Sequence, residues 1–173
     1  GTDHPRLDLL PADFSYRHMD LALDTFKRPT RRLARVLAPL RHDYEFIFLD
    51  CPPSISLVSE SVFEAADALL VPVIPATLSS RTFEQLEELV SSGPQVLAFF
   101  SMLEVRKSLH REVMARLRAT HPGVLLGAAI PACDEVERMG VDRTVVGELA
   151  PGSRGAIAYQ ALWWDISRRL RNG

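Results

Sequence analysis

Lysine is nearly missing from this chain of 173 residues. Of its 20 basic residues only Lys27 and Lys107 are lysines, and neither follows a glycine. A glycine-rich turn ending in Gly-Lys-Ser or Gly-Lys-Thr, whose backbone N–H groups cradle a triphosphate, is therefore not in the sequence. Cysteine is also scarce. Cys51 and Cys133 stand far apart without a Cys-x-x-Cys pair, which argues against a disulfide framework or a cysteine metal site. His4, His18, His42, His110 and His121 lack ligand spacing, so no zinc is expected. No apolar run approaches the length of a membrane span, and no segment reads as a signal peptide, a repeat or a low-complexity tract. Neither sign of charge dominates: 20 basic residues face 22 acidic ones, for a net charge of −2. Bulk attraction to a polyanion is excluded, and any nucleic-acid contact must come from a local patch.

What is present suits one globular domain. Hydrophobic residues make up 47% of the chain, enough for a core, and charged residues 24%, evenly mixed. Short apolar runs alternate with segments of helical spacing. Strands are expected at 7–10, 45–49, 68–74, 96–102 and 124–130. Helices are expected at 13–26, 30–41, 56–66, from Thr77 or Ser79 to the Gly93-Pro94 break, and at 108–120 and 153–171. Pro72 inside its strand argues for a bulge or an edge. In the helix at 108–120 the spacing puts Leu109, Val113 and Leu117 on one face. Residues 140–147 read as irregular, with a possible short strand at Val145 and Val146. Of the adjacent Trp163 and Trp164, one is expected in the core. Strands alternating with helices predict an α/β fold with a doubly wound, mostly parallel sheet flanked by helices.

The most specific stretch is Tyr44 to Pro53, YEFIFLDCPP. An apolar run ends in Asp50, and Pro52 and Pro53 stop it and stiffen the loop beyond. A carboxylate at the end of a buried strand sits where α/β proteins bind ligands. It has the form of a Walker B strand, whose aspartate holds Mg²⁺ through water beside a nucleotide. The plain alternative is a strand-end carboxylate capping the next helix. Cys51 reads as a packed small residue, since no histidine lies near it in sequence.

Ile47 to Leu86 resembles the middle of a ParA/MinD-type deviant-Walker P-loop ATPase. The resemblance continues through SMLEVRKSLHREV at 101–113, AAIP at 128–131 and APGSRGAIAYQAL at 150–162, and so covers nearly the whole chain. It implies one ParA-like ATPase domain over residues 1–173, incomplete at its N-terminus because the Walker A loop is missing. Two explanations stay open: a C-terminal portion of a longer protein, or a degenerate homologue that never binds ATP. A gap near the centre of the sheet would leave buried backbone groups unpaired at about 1–3 kcal/mol each, which favours the first.

The resemblance also implies roles. Asp50 is the catalytic and Mg²⁺-holding carboxylate, acting through water. Cys51, Pro52 and Pro53 form a switch. Ser101, where relatives carry Asn or Thr, lies near the adenine, and Pro131, Ala132 and Cys133 lie along it. Arg106, Lys107 and Arg111 are the first candidates for DNA binding, with Arg116 and Arg118 second and Arg168, Arg169 and Arg171 as possible additions. Each also reads as a solvated helix face. The implied cofactors are ATP and Mg²⁺ for the complete protein. The implied partners are a second copy, nonspecific DNA and a ParB-like or cargo adaptor, in a cytoplasmic, nucleoid-associated setting. A membrane is not expected, because RRLRNG at 168–173 offers only one leucine as an anchor. The chain departs from the family at ACDEVERMG, 132–140, and at Arg143 to Val145, where relatives carry Gly-x-Pro. The alternative function is a non-catalytic dimerisation or partner-binding module of the same fold.

Overall fold

In a computed structural model, residues 2, 4–51 and 54–171 are described. They fall into two compact units, Gly1–Ala66 and Asp67–Gly173. The first unit holds three short helices, α1 (Met19–Asp24), α2 (Arg31–Leu37) and α3 (Leu57–Ala65). Helix α3 gathers the other two. Asp20 accepts a hydrogen bond from the Val58 N–H at 3.0 Å, near the start of α3 where the helix has spare donors. Glu64 takes the Thr30 hydroxyl and the Arg31 guanidinium from α2. Among the described residues of this unit only α3 contributes buried side chains: Ser59, Ser61, Val62 and Ala65.

The strands expected at 7–10 and 45–49 do not form. Among the described residues the first unit contains no β-strand at all. A strand exists only in a ladder, so an extended run without neighbouring strands remains irregular. Leu10 is 89% exposed and Phe48 65%. The two runs are linked by the Tyr44 hydroxyl, which donates to Asp8 Oδ2 at 2.7 Å. That bond holds the Asp8 carboxyl below its usual range and pushes the Tyr44 phenol up.

The second unit is the α/β part. It runs β1 (Ala68–Val73), α4 (Thr77–Leu89), β2 (Gln95–Leu103), α5 (Ser108–Thr120), β3 (Leu125–Pro131), α6 (Asp134–Asp142), α7 (Val146–Leu149) and α8 (Arg154–Arg171). The strands are parallel, in the order β1-β2-β3. β1 lies at the edge, which accounts for Pro72. β2 is central and alternates strictly. Ala98 and Phe100 face Val73 of β1, Phe83 of α4 and Val113 and Leu117 of α5. Leu97 and Phe99 face Leu126 and Ile130 of β3 and Leu162 and Ile166 of α8. Helices thus cover both faces, as the doubly wound pattern requires. Burying each large side chain here is worth about 1.5–3 kcal/mol.

Four local expectations are corrected. Residues 134–142 form a helix, α6, whose first turn carries Asp134, Glu135 and Glu137; acidic side chains there suit the helix dipole. Val146 opens a short helix, not a strand. Trp163 and Trp164 are both exposed, because Leu162 and Ile166 already fill the sheet-facing stripe of α8. On α5 the inward residue is His110, while Leu109 is exposed.

The pairing of β2 with β3 slips. Ala98 pairs with Leu125, Phe100 with Ala129 and Leu103 with Pro131. The first shift bulges β3 near Gly127, and Asp165 of α8 covers it: Oδ2 accepts the Ala128 N–H at 2.9 Å. Replacing Asp165 by alanine leaves that donor without its acceptor. Urea unfolding of Asp165→Ala should show a loss of about 1–3 kcal/mol.

Candidate functional site

Parallel sheets present ligand sites at the carboxyl ends of their strands. In the second unit this edge brings together Ser101, Pro131, Ala132 and Cys133. Leu103 pairs with Pro131, and the Ala132 N–H donates to the Leu103 carbonyl at 3.0 Å. Ser101 and Pro131 are half-buried, and Cys133 is buried where the chain turns into α6. The Cys133 carbonyl accepts from the N–H groups of Val136 and Glu137. Arg154 opens α8 beside them, donating to the Ala132 carbonyl at 3.2 Å. Glu135 is held below its usual range by its own backbone N–H, then by the Cys133 thiol, with the Arg154 charge adding to both. Gly155 permits this approach, since a Cβ there would lie 2.9 Å from Val136 Cγ2 and 3.4 Å from Cys133 Sγ.

Met102 sits at the same edge with φ of +52°, in the left-handed region that non-glycine residues rarely enter. The second register shift, between Phe100 and Leu103, explains it: one extra residue on β2 bulges the strand as it leaves the sheet. Its side chain is 51% exposed, so little packing depends on it. Met102→Gly should therefore stabilise the chain by about 1 kcal/mol in thermal or urea unfolding. A loss of similar size would show that the Met102 side chain is needed at this edge.

Asp50 and Cys51 belong to the first unit, in an exposed segment without regular structure. The Cys51 thiol donates to the Leu49 carbonyl at 3.4 Å. Partial covering of the sulfur and then the Asp50 charge push the thiol up, which is the reverse of nucleophile activation. Pro52 and Pro53, the remainder of the expected switch, lie outside the described residues.

The basic residues separate by task. Arg106, Lys107 and Arg111 come together around the loop from β2 to α5. Lys107 pairs with Glu104, and the Arg111 guanidinium donates to the carbonyls of Val105 and Arg106 at 2.8 and 3.2 Å. Arg106 is exposed, and its guanidinium meets no acceptor among the described residues. Arg116 is tied to Glu84 and Ser80 of α4. Arg118 reaches the Gly127 carbonyl, Arg168 pairs with Asp165 and Arg169 binds the Gly123 carbonyl at 2.7 Å.

Sequence reasoning missed His110. It is buried, and its Nδ1 accepts the Glu104 N–H at 3.2 Å. The signal was its place at i, i+3 and i+7 with Val113 and Leu117. A lone histidine in that stripe becomes informative only once its hydrogen-bond partner is known.

Among the described residues no group of three or more His, Cys, Asp or Glu could hold a metal ion. Mg²⁺ can be held by one carboxylate, water and substrate phosphates, and Asp50 supplies one carboxylate. The phosphates themselves have no cradle, since the sequence lacks the glycine–lysine loop. The residues present do not make a complete site for Mg²⁺ and ATP.

A family model described as an AAA domain (AAA_31) matches residues 1–95, more than half of the chain. The chain belongs to the ParA-type P-loop ATPase family. It is 28% identical to an uncharacterized Pseudomonas putida protein, over 98% of this chain and 68% of that one. It is 27% identical to the cell division protein PomZ of Myxococcus xanthus, over 96% of this chain and 54% of PomZ. A ParA family protein of Chlamydia trachomatis is 26% identical, over 98% of this chain and 70% of its own length. The chain therefore spans about half to just over two thirds of these relatives. Among solved structures, cobyrinic acid a,c-diamide synthase from Mycobacterium smegmatis, with an ATP analogue and magnesium bound, superposes with a TM-score of 0.73 at 23% identity. That match covers 94% of this chain and 62% of the synthase. Apo McdA of Cyanthece gives 0.74 at 18% identity, covering 88% and 66%. At these identities the structural likeness shows the fold alone, and it is the fold expected from the sequence.

Proposed function

We propose that this chain is part of an ATP-dependent partition or positioning ATPase. With ATP and Mg²⁺ the complete protein forms a homodimer, and the dimer holds DNA without sequence preference in the cytoplasm, on the nucleoid. A ParB-like or cargo-bound adaptor triggers hydrolysis and release, and a plasmid, chromosome or other cargo is carried along. Relatives named as a cell division protein and as a ParA family protein support this reading. Asp50 is the Mg²⁺-side carboxylate, with Cys51, Pro52 and Pro53 as the switch. Ser101, Pro131, Ala132 and Cys133 flank the base. No helix among the described residues is long and apolar enough to cross a membrane.

The observation that carries the DNA part is Arg106. It stands exposed on the loop after β2, while its basic neighbours are engaged within the fold. A guanidinium left free beside a fixed loop suits a phosphate. Because the net charge is −2, the attraction is local and falls steeply with salt. Binding of the complete, ATP-bound protein to random-sequence duplex across a salt series tests this. Arg106→Ala should weaken binding to all sequences alike and shallow the salt slope by about one. An unchanged slope and affinity would place DNA elsewhere or nowhere.

The alternative is a non-catalytic dimerisation or partner-binding module of the same fold. The missing glycine–lysine loop favours it. A phosphate loop encoded immediately upstream of Gly1 in the same reading frame would remove that support.

A further inference from the structure

Arg106 is presented by a loop of four residues, Glu104 to Lys107, and α5 fastens that loop from its first turn. The Lys107 N–H closes it on the Glu104 carbonyl at 3.0 Å. His110 Nδ1 accepts the Glu104 N–H at 3.2 Å from a buried position. Arg111 Nη1 spans the carbonyls of Val105 and Arg106. The backbone on both sides of the Arg106 Cα is therefore held by side chains that follow it in sequence.

We propose that His110 and Arg111 are positioning residues for Arg106, and that Arg111 is not itself a phosphate contact. The proposal rests on the reading that Arg106 meets DNA. For Arg111 to turn to a phosphate, its guanidinium would have to leave two backbone carbonyls, forfeiting two charge-assisted hydrogen bonds. A loop already ordered in the free protein loses less entropy on binding, so the fastening strengthens the Arg106 contact without touching DNA. His110 acts in one form only. The Glu104 N–H can only donate, so Nδ1 keeps its lone pair and the ring proton sits on Nε2. The charged side chains that α4 presents towards α5 leave this arrangement alone: Glu84 is taken by Arg116, Glu87 lies against His121 at the far end of α5, and Arg81 is exposed. On the loop itself, Glu104 is held below its usual range chiefly by Lys107.

The test is a double-mutant cycle on duplex binding by the complete, ATP-bound protein. Arg106→Ala and Arg111→Ala should each lower affinity about tenfold, and the double variant should bind no worse than Arg106→Ala alone. His110→Leu should behave as Arg111→Ala does. His110→Asn, whose Oδ1 can accept the Glu104 N–H, should bind as the parent does. The imidazole ¹⁵N spectrum of the chain should show His110 with a bare Nδ1 and a protonated Nε2. Additive losses in the cycle, parent-like binding by His110→Leu, or a proton on Nδ1 would each overturn the positioning role while leaving Arg106 as the contact. An Arg106→Ala variant that binds as the parent does would defeat the DNA reading and the positioning role with it.

Discussion

β2 must bury both of its faces at once, and the second unit is arranged around that demand. Residues 97–100 alternate between two layers. Phe100 goes to α4 and α5, and Leu97 and Phe99 go to β3 and α8. A strand so placed needs a neighbour on each side and a helical layer on each face, and the chain supplies all four within residues 67–173. The irregularities of the sheet follow from the same strand. Its register with β3 slips twice, once on each strand. One slip is covered by Asp165, and the other puts Met102 in the left-handed region at the carboxyl edge of the sheet.

The fold was legible wherever the apolar period met a complete set of neighbours. The strands at 68–74, 96–102 and 124–130, and the helices at 108–120 and 153–171, form within a residue or two of where periodicity puts them. Period alone misled at 7–10 and 45–49, because an apolar run describes the wish for a ladder and not the presence of one. α6 was hidden by composition: DEVERMGVD is mostly polar, and its helical character lies in acidic residues placed at the positive end of the helix dipole. The tryptophan pair misled for another reason. Size suggested burial, but Leu162 and Ile166 hold the correct spacing on α8, and both indoles face outward.

The candidate site was legible in part. Ser101, Pro131, Ala132 and Cys133 do meet at one edge, as parallel topology demands of residues at the ends of neighbouring strands. The division of labour among Arg106, Lys107 and Arg111 could not be read, since three basic residues in a row of text look equivalent. It took the loop geometry to show one guanidinium facing solvent and another spent on carbonyls.

The missing glycine–lysine loop is the strongest chemical statement about the chain. The α/β fold of a ParA-type ATPase is in place, yet the sequence holds no loop that could cradle a triphosphate. Calorimetric titration of the 173-residue chain with ATP and Mg²⁺ tests that account most directly. It predicts no measurable heat of binding. Saturable binding in the micromolar range would contradict it, and would mean that this chain holds phosphate by groups other than the missing loop.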